Sequence, residues 1–388
     1  MPEAVNPGKA PPRLTVWGTY DTGKPRVRML IEAARRLDPE LVAVNRNPWA
    51  GIEDKSQVRG ILAWLRLIVA WIASYPILIY SYLRMPRHDV VIVPYLGNLD
   101  VLLLWPFARL RGARICWDMF ISLYDTVVED RQLLPRTGWL ARLLHWAESL
   151  SVRAADLVLM DTQEHARYVA ELYQAPPGKV RVTWVGAETN LFTKTPLPAR
   201  QGPVRVLFYG QFIPLHGLDT LVTAIAQIQD LATAPELHFT IIGSGQESAR
   251  IDRLIAEQGL RNIERIAWVD YAELPDRIAA ADICLGIFAE GGKAQRVITN
   301  KAFQILASGR PLITSDSPAM RELVQPDEAI RLTRPGDPAS LAEQLVALAQ
   351  ASRDPARQPV LAAEAGQMPG VDVERIAAQL RVCLESLA

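Results

Sequence analysis

Cysteine and histidine are scarce in this 388-residue chain, and neither is clustered. The three cysteines, Cys116, Cys284 and Cys383, lie far apart, which is typical of a reducing compartment and argues against disulfides. The five histidines are His88, His145, His165, His216 and His238. Their spacing matches no zinc motif, so we expect neither a metal ion nor another bound cofactor.

The chain also lacks a net charge, because 42 Lys and Arg residues balance 42 Asp and Glu residues. This balance argues against a dedicated nucleic-acid-binding protein. Basic residues prevail before residue 195 and acidic residues after it. This asymmetry suits either a first half that faces an anionic membrane or substrate, or simple scatter between two domains. Residues 1–12 are polar and proline-rich and lack the apolar stretch of a signal peptide, which predicts a loose tail and a cytoplasmic protein.

Short apolar strands alternate with helical patterns, which predicts parallel βαβ units with helices on both faces of the sheet. The first half contains predicted strands at 14–17, 41–44, 90–93, 114–116, 156–160 and 180–185. The alternation restarts after the proline-containing linker 195–203, with predicted strands at 204–209, 237–242, 263–268, 283–287 and 311–314. We predict two Rossmann-like α/β domains facing each other across a cleft, 1–195 and 196–370. A last helix, 371–388, is predicted to pack back on the first domain.

The segment 61–83 is apolar and long enough to span a bilayer. Spanning is disfavoured because predicted strands of one sheet lie on both sides of it, and because it contains Arg66 and Pro76. Either these residues form helices buried against the first sheet, or they lie at a membrane interface. The second alternative rests on Arg59, Trp64, Arg66, Trp71, Tyr75, Tyr80, Tyr82, Arg84 and Arg87. We expect peripheral contact with the inner face of the plasma membrane.

Four loops follow predicted strands, where open α/β sheets bind ligands. In the first domain, residues 18–26 form a glycine-containing turn whose candidate acceptor-binding residues are Asp21, Gly23 and Arg26. An ordinary turn is an equal alternative, because the spacing matches neither the dinucleotide-binding nor the P-loop pattern.

The other three loops lie in the second domain and predict a diphosphate site. Residues 210–217 and 243–246 offer glycines for close approach and polar side chains for phosphate oxygens. Residues 290–301 concentrate three cations before a helix, although a solvated basic loop is the alternative. The candidate donor-binding residues are Gly210, Gln211, His216, Gly217, Gly243, Gly245, Lys293, Arg296, Asn300, Lys301 and Gln304.

Four stretches together resemble the retaining glycosyltransferases of family 4 (glycosyl transferases group 1), which have the GT-B fold. Residues 153–162 (RAADLVLMDT) are similar to a strand segment of that family, and 185–192 (VGAETNLF) to its approach to the hinge. Residues 210–217 (GQFIPLHG) have the spacing of its phosphate loop, and 307–315 (ASGRPLITS) match a further segment. The likeness covers most of the chain and is strongest from residue 153 onward.

The departures from the family pattern change its site. The family's phosphate-binding Arg and Lys fall on Gln211 and His216, and its paired glutamates fall on Arg296 and Gln304. We therefore predict that Lys293 and Arg296 supply the missing positive charge, and that Gln304 contacts the ribose. The candidate catalytic residues are Glu290, beside the donor sugar, and Asp118, which stands where the family often has a histidine.

The resemblance implies transfer of a hexose, with retention, from a nucleotide-diphosphate sugar to a glycan or lipid-linked acceptor in polysaccharide or glycolipid synthesis. Cations and helix N-termini would stabilise the leaving diphosphate without a metal, and that phosphate would take the acceptor's proton. Two alternatives remain. One is a sugar-nucleotide epimerase of the same fold, with Asp118, Asp125 and Glu290 as its acids and bases. The other is a non-catalytic scaffold.

Overall fold

The computed structural model describes residues 12–48, 60–197, 202–231, 234–367 and 370–387. The tail at 1–11, part of the predicted linker and the side chain of Trp64 lie outside the described residues. Two six-stranded parallel sheets form the protein, in the orders β2-β1-β3-β4-β5-β6 and β12-β11-β10-β7-β8-β9. The prediction of an α/β fold with two parallel-sheet domains is therefore confirmed.

The first sheet and its helices occupy the N-terminal half. Their bounds are β1 Leu14–Gly18, α1 Pro25–Leu37, β2 Val42–Asn45, α2 Ile61–Arg84, β3 Val90–Val93, α3 Asn98–Arg111, β4 Arg114–Phe120, α4 Trp139–Ala154, β5 Leu157–Met160, α5 Gln163–Leu172 and β6 Val180–Val182. A single π-helical turn, Asp125–Asp130, lies between β4 and α4. Helices α2, α3, α4 and α5 cover one face of this sheet, while α1 and the C-terminal helix cover the other. Covering on both faces explains why β3 is apolar at every position and fully buried.

The second sheet follows the same plan. Its elements are β7 Val204–Tyr209, α6 Leu218–Gln229, β8 Leu237–Ile242, α7 Ser248–Glu257, β9 Ile263–Ile266, α8 Leu274–Ala279, β10 Ile283–Leu285, α9 Asn300–Ala307, β11 Leu312–Ser315, α10 Pro318–Leu323, β12 Ile330–Thr333, α11 Pro338–Arg353, α12 Gln358–Gly366 and α13 Val373–Glu385. Helix α13 packs against α1 and β6 of the first sheet. The domain boundaries at residues 195 and 370 stay a prediction.

Two elements differ from the sequence-based expectations. Strand β12 was not among the predicted strands. It lies at the edge of the sheet, and its four residues include Arg331, so its apolar pattern is weak. Helix α2 runs through Pro76 without ending, although proline was expected to break it. Since β2 and β3 both pair with β1, the two flanks of α2 belong to one sheet. Among the described residues, Leu65–Arg84 is the one stretch that passes a length-and-hydropathy test for a membrane span, which alone is weak evidence.

The strand order determines which loops lie beside the crevice expected to bind ligands. In each sheet the order reverses beside the first strand, between β1 and β3 and between β7 and β10. Loops at the carboxyl ends of strands beside such a reversal splay apart and leave a crevice, which is where α/β proteins bind ligands. The loops after β1, β7 and β10 are therefore those expected to form the site.

Candidate donor and acceptor sites

The loops after β7 and β8 approach each other more closely than side chains would permit. A Cβ atom on Gly243 would lie 1.9 Å from the carbonyl oxygen of Gly210, and the φ of Gly243 is +137°. A Cβ atom on Gly217 would lie 2.4 Å from the backbone nitrogen of Ala289, which follows β10. Only glycine fits these positions, so three loops meet with bare backbone at the N-terminus of α6, a local environment that favours an anion.

Lys301 is buried at this place without a counter-ion. Its side chain is 4% exposed, and among the described residues no hydrogen-bond acceptor lies within reach of its Nζ. The Nζ lies 3.8 Å from the ring centroid of Phe208 and 3.7 Å from where a Cβ of Gly210 would stand. Burial lowers the pKa of this amine well below its usual value. A buried amine that no described group neutralises makes this place a candidate site for an anionic ligand.

His216 lies beside the same glycine. Its Cε1 atom is 2.9 Å from the position of a Gly210 Cβ, and its Nδ1 has no hydrogen-bond partner among the described residues. Burial, and then the charge of Lys301, lower the pKa of His216 well below its usual value. The ring is therefore neutral near pH 7 and offers hydrogen bonding rather than charge.

Lys293 and Arg296 are both paired with an acid of the first domain in this structure, and their contact with the diphosphate stays a prediction. Lys293 Nζ lies 3.3 Å from Asp125 and donates to Thr126 Oγ1 at 2.6 Å. Arg296 donates to Asp125 at 2.8 Å. Lys293 and Arg296 are thus both paired with the π-helical turn of the first domain. Their positive charges compensate the negative charge of the buried Asp125.

This interdomain cluster has further members. Asp130 lies 4.0 Å from Lys293 Nζ, and the Arg296 guanidinium stacks 3.8 Å from the ring centroid of Tyr168. Burial raises the pKa of Asp130, while Lys293 opposes the rise. The two domains are therefore joined by charge pairs whose acids and bases come from opposite sides.

Neutralising these two cations should affect stability more than donor binding. In Lys293→Met, Asp125 and Asp130 stay buried with less compensation, so the free energy of unfolding should fall by about 1–3 kcal/mol. Titration with a nucleoside diphosphate should give a dissociation constant close to that of the native protein. The same pair of measurements on Arg296→Met serves as the companion variant. A large loss of diphosphate affinity without loss of stability would restore both residues to the phosphate site.

Asp118 and Arg26 are also removed from an open site. Asp118 is 0% and Arg26 1% exposed, and the guanidinium binds the carboxylate through contacts of 2.6 to 3.2 Å. Arg26 also donates to the carbonyl oxygens of Thr183 and Trp184. Burial raises the pKa of Asp118, and Arg26 opposes that rise. The two charges pair with each other, and Arg26 also bonds to the segment after β6 that leads to the second domain. Both side chains are buried in this conformation.

The remaining candidates stand as follows. Gln304 is buried, and its amide bonds to the hydroxyls of Tyr209 and Tyr271. Glu290 is exposed after β10. Asp21 accepts from the backbone N–H of Gly23 at 2.9 Å, as in an ordinary turn. Gln211, Gly245 and Asn300 line the loops or helix starts around Lys301 with at least partial exposure. Their ligand-binding roles stay predictions.

A polar group that the sequence reasoning did not single out supports the loop after β1. Asp100 is 2% exposed and accepts from the backbone N–H of Thr19 at 2.9 Å and from the hydroxyl of Tyr75 at 2.8 Å. Trp71 Nε1 donates to Thr19 Oγ1 at 3.0 Å. Burial raises the pKa of Asp100. The loop after β1 is thereby fixed to helix α2. Among the described residues no group of three or more potential metal-ligating side chains is found.

Known sequences and structures resemble this arrangement. The sequence profile of the family glycosyl transferases group 1 matches residues 203–351. A mannosyltransferase of Mycolicibacterium hassiacum, named MMP alpha-(1->4)-mannosyltransferase, is 23% identical over 77% of this chain and 73% of its own length. A D-inositol 3-phosphate glycosyltransferase of Thermobispora bispora is 33% identical over 35% of this chain and 35% of its own.

Solved structures match over nearly the whole chain. Sucrose-phosphate synthase of Thermosynechococcus elongatus superposes with a TM-score of 0.68 at 19% identity, covering 96% of this chain and 98% of that one. Anabaena HepE in complex with UDP gives a TM-score of 0.65 at 15% identity, covering 96% and 99%. The family profile lies on the sheet that carries Lys301 and the glycine loops, and the fold agrees from end to end. Residues 203–351 thus match the profile of the glycosyl transferases group 1, and the chain is a glycosyltransferase with the GT-B fold.

Proposed function

We propose that this glycosyltransferase moves a hexose, with retention, from a nucleotide-diphosphate sugar to a glycan or lipid-linked acceptor, in cell-surface polysaccharide or glycolipid synthesis. The observation that carries the donor part is Lys301, a buried amine beside the glycine loops that has no acceptor in the part of the chain that the structure describes. A diphosphate would provide the missing negative charge.

The chemistry needs charge stabilisation more than a protein nucleophile. As the glycosidic bond to the diphosphate breaks, negative charge grows on the leaving oxygen. Lys301 and the N–H groups at the start of α6 would stabilise that charge, and they are in place before reaction. The departing phosphate oxygen would then accept the proton of the attacking hydroxyl. We propose that the reaction proceeds on this protein without a metal or other cofactor.

Acceptor and location form the second part of the proposal. We propose that the acceptor binds at the loop after β1, where Asp21 is partly exposed and Gly23 is exposed. A lipid-linked acceptor is supported by the name of one relative, the phosphatidyl-myo-inositol mannosyltransferase of Mycobacterium leprae, 27% identical over 47% of this chain. We propose a cytoplasmic enzyme with peripheral contact at the inner face of the plasma membrane through residues 61–83.

A thermal screen with nucleoside diphosphates and their sugars tests the donor. A ligand present at 100 times its dissociation constant should add about 2.7 kcal/mol to the free energy of unfolding. We expect UDP or another nucleoside diphosphate to raise the melting temperature equally with magnesium and with a chelator. Stabilisation that depends on a metal would contradict the proposed metal-free site.

Product analysis with and without acceptor then separates the alternatives. A glycosyltransferase releases nucleoside diphosphate as it extends the acceptor, with the anomeric configuration kept. An epimerase would alter the donor sugar without any acceptor, and a scaffold would bind without turnover. Neither alternative is favoured by the family profile or the relatives.

A further inference from the structure

A chain of hydrogen bonds joins helix α1 to helix α9 through the segment that follows β6. Arg28 of α1 donates from Nε and Nη2 to the two carboxylate oxygens of Glu188, at 2.8 and 2.7 Å. Tyr271, which begins the short turn between β9 and α8, donates its hydroxyl to Glu188 Oε2 at 2.8 Å. Gln304 Nε2 of α9 donates to the same hydroxyl at 3.1 Å, and Tyr209, the last residue of β7, donates to Gln304 Oε1 at 3.0 Å. Five side chains from both halves of the protein thus form one continuous chain.

The charge of Glu188 sets the direction of the bonds in this chain. A carboxylate accepts hydrogen bonds and cannot donate one, so the proton of the Tyr271 hydroxyl must point to Glu188. The oxygen of Tyr271 then accepts from the amide nitrogen of Gln304, which turns the amide oxygen towards Tyr209. Burial opposes the ionisation of Glu188, yet hydrogen bonds from Arg28 and Tyr271 hold the pKa of this carboxylate below its usual value. Glu188 is therefore anionic near pH 7 and fixes the orientation of an amide two hydrogen bonds away.

Each end of the chain lies beside one of the two proposed substrate sites. At the first end, Arg28 Nη1 donates to the carbonyl oxygen of Thr22 at 3.0 Å, in the loop after β1. At the other end, Gln304 lies three residues beyond Lys301 on α9, so the two side chains project from the same side of that helix. The hydroxyl of Tyr209 also lies 3.4 Å from the carbonyl oxygen of Lys301. A displacement of Gln304 therefore also displaces Lys301.

The hydroxyl of Tyr271 is the central link of the chain, and the ring packs independently of it. The ring meets Phe192 edge-on, with centroids 5.7 Å apart, and the guanidinium of Arg28 lies 5.1 Å from its centroid. A phenylalanine would keep both contacts. Because only the hydroxyl joins the ion pair to Gln304, its removal breaks the chain in the middle and leaves the packing in place.

We propose that Tyr271 is a positioning residue for sugar transfer. It anchors Gln304 to the ion pair of Arg28 and Glu188, and thereby holds the start of α9, with Lys301, in the geometry that receives the donor diphosphate. The role of Lys301 in this statement rests on the proposed function. Because α1 covers the first sheet and α9 the second, the geometry of the donor site depends on a contact with the other half of the protein.

Tyr271→Phe tests the central link, with the nucleoside diphosphate that most stabilises the native protein in the thermal screen. We expect its dissociation constant to rise about tenfold, the effect of losing one hydrogen bond to a charged group, and the rate of transfer per folded molecule to fall with it. The matched control is Tyr173→Phe, which removes a hydroxyl that donates to the buried carboxylate of Glu148 at 2.6 Å in the first domain. It should lower the melting temperature at least as much as Tyr271→Phe and leave the dissociation constant unchanged.

A double-mutant cycle separates transmission along the chain from local packing. Arg28→Met removes the ion pair at the far end and should raise the dissociation constant about threefold or more. In the Tyr271→Phe background the same substitution should have no further effect, because the chain is already broken. Effects of the two substitutions that multiply would overturn the positioning role, because they would show that each acts by itself.

Failure of the proposed function gives a different result. If the native protein binds no nucleoside diphosphate, or if Lys301→Met binds it as tightly as the native protein does, the donor site proposed above is wrong, and the role of Tyr271 falls with it. Native binding that Lys301→Met weakens, together with unchanged binding by Tyr271→Phe, would overturn the positioning role alone. A lower melting temperature of Tyr271→Phe with unchanged affinity would likewise show that the hydroxyl only stabilises the fold.

Discussion

Replacing Lys301 by methionine is expected to lower the rate of sugar transfer about 100- to 1,000-fold, which is the loss typical when a preorganised group facing a developing oxyanion is removed. Methionine keeps the length of the chain and its contact with Phe208 but carries no charge. The free protein should be at least as stable as before, because Lys301 is buried without an acceptor and its charge is poorly solvated. A simultaneous loss of activity and absence of any loss of stability distinguishes a ligand-binding cation from a structural one.

The measurement is the initial rate of nucleoside diphosphate release, together with urea unfolding of the free protein. Lys179→Met makes the same chemical change at a partly exposed position at the start of β6 and should leave transfer unaltered. If Lys301→Met unfolds more easily and turns over normally, the amine is only a partner of the Phe208 ring.

The pH dependence gives a second test of the same amine. Burial lowers the pKa of Lys301 in the free protein, whereas a bound diphosphate favours the protonated form. Diphosphate affinity should therefore fall as pH rises through the lowered pKa, and this dependence should vanish in Lys301→Met. For stability the sign is opposite. The unfolded chain binds the proton more tightly, so this residue's contribution is favourable at high pH and is lost as pH falls from about 10.4 towards the folded pKa.

The fold could be predicted because it depends on local patterns. Short apolar strands such as β3, VVIV, and the restart of the alternation at β7 are visible in the sequence, as are the glycines that end β7 and β8. The parallel order and the loops at the point of reversal then follow from general rules for α/β sheets. Strand β12 is missed because an edge strand needs only a partly apolar sequence.

The site could be predicted only to the level of loops. Lys293, Arg296 and Lys301 lie within one short segment, and the sequence cannot show which of them meets an acid. Asp125, which binds two of them, lies 171 residues from Arg296 along the chain. Asp118 lies near the end of β4 and Arg26 in the first turn of α1, and their mutual pairing over 92 residues is equally invisible in the sequence. Charge at a site is therefore decided by partners that only the folded chain brings together.

That pairing leads to a strong expectation for Asp118. In Asp118→Asn, the guanidinium of Arg26 stays buried and loses its counter-ion, while its bonds to the carbonyl oxygens of Thr183 and Trp184 persist. Breaking a buried ion pair from one side lowers the free energy of unfolding by about 3–5 kcal/mol. The effect should appear in urea unfolding rather than in kcat/KM per folded molecule, because the carboxylate is 0% exposed.

An exposed ion pair serves as the control for the loss of stability expected in Asp118→Asn. Asp316 binds Arg321 through contacts of 2.5 and 2.7 Å, with side chains 35% and 49% exposed, so Asp316→Asn should change the free energy of unfolding little. Removing both buried charges together, in Arg26→Met/Asp118→Leu, should restore part of the stability that Asp118→Asn loses, since no lone charge is then left inside. A fall in kcat for Asp118→Asn with unchanged unfolding would instead mean that the cleft opens to this carboxylate during turnover, and Asp118 would return to the acceptor side as a catalytic residue.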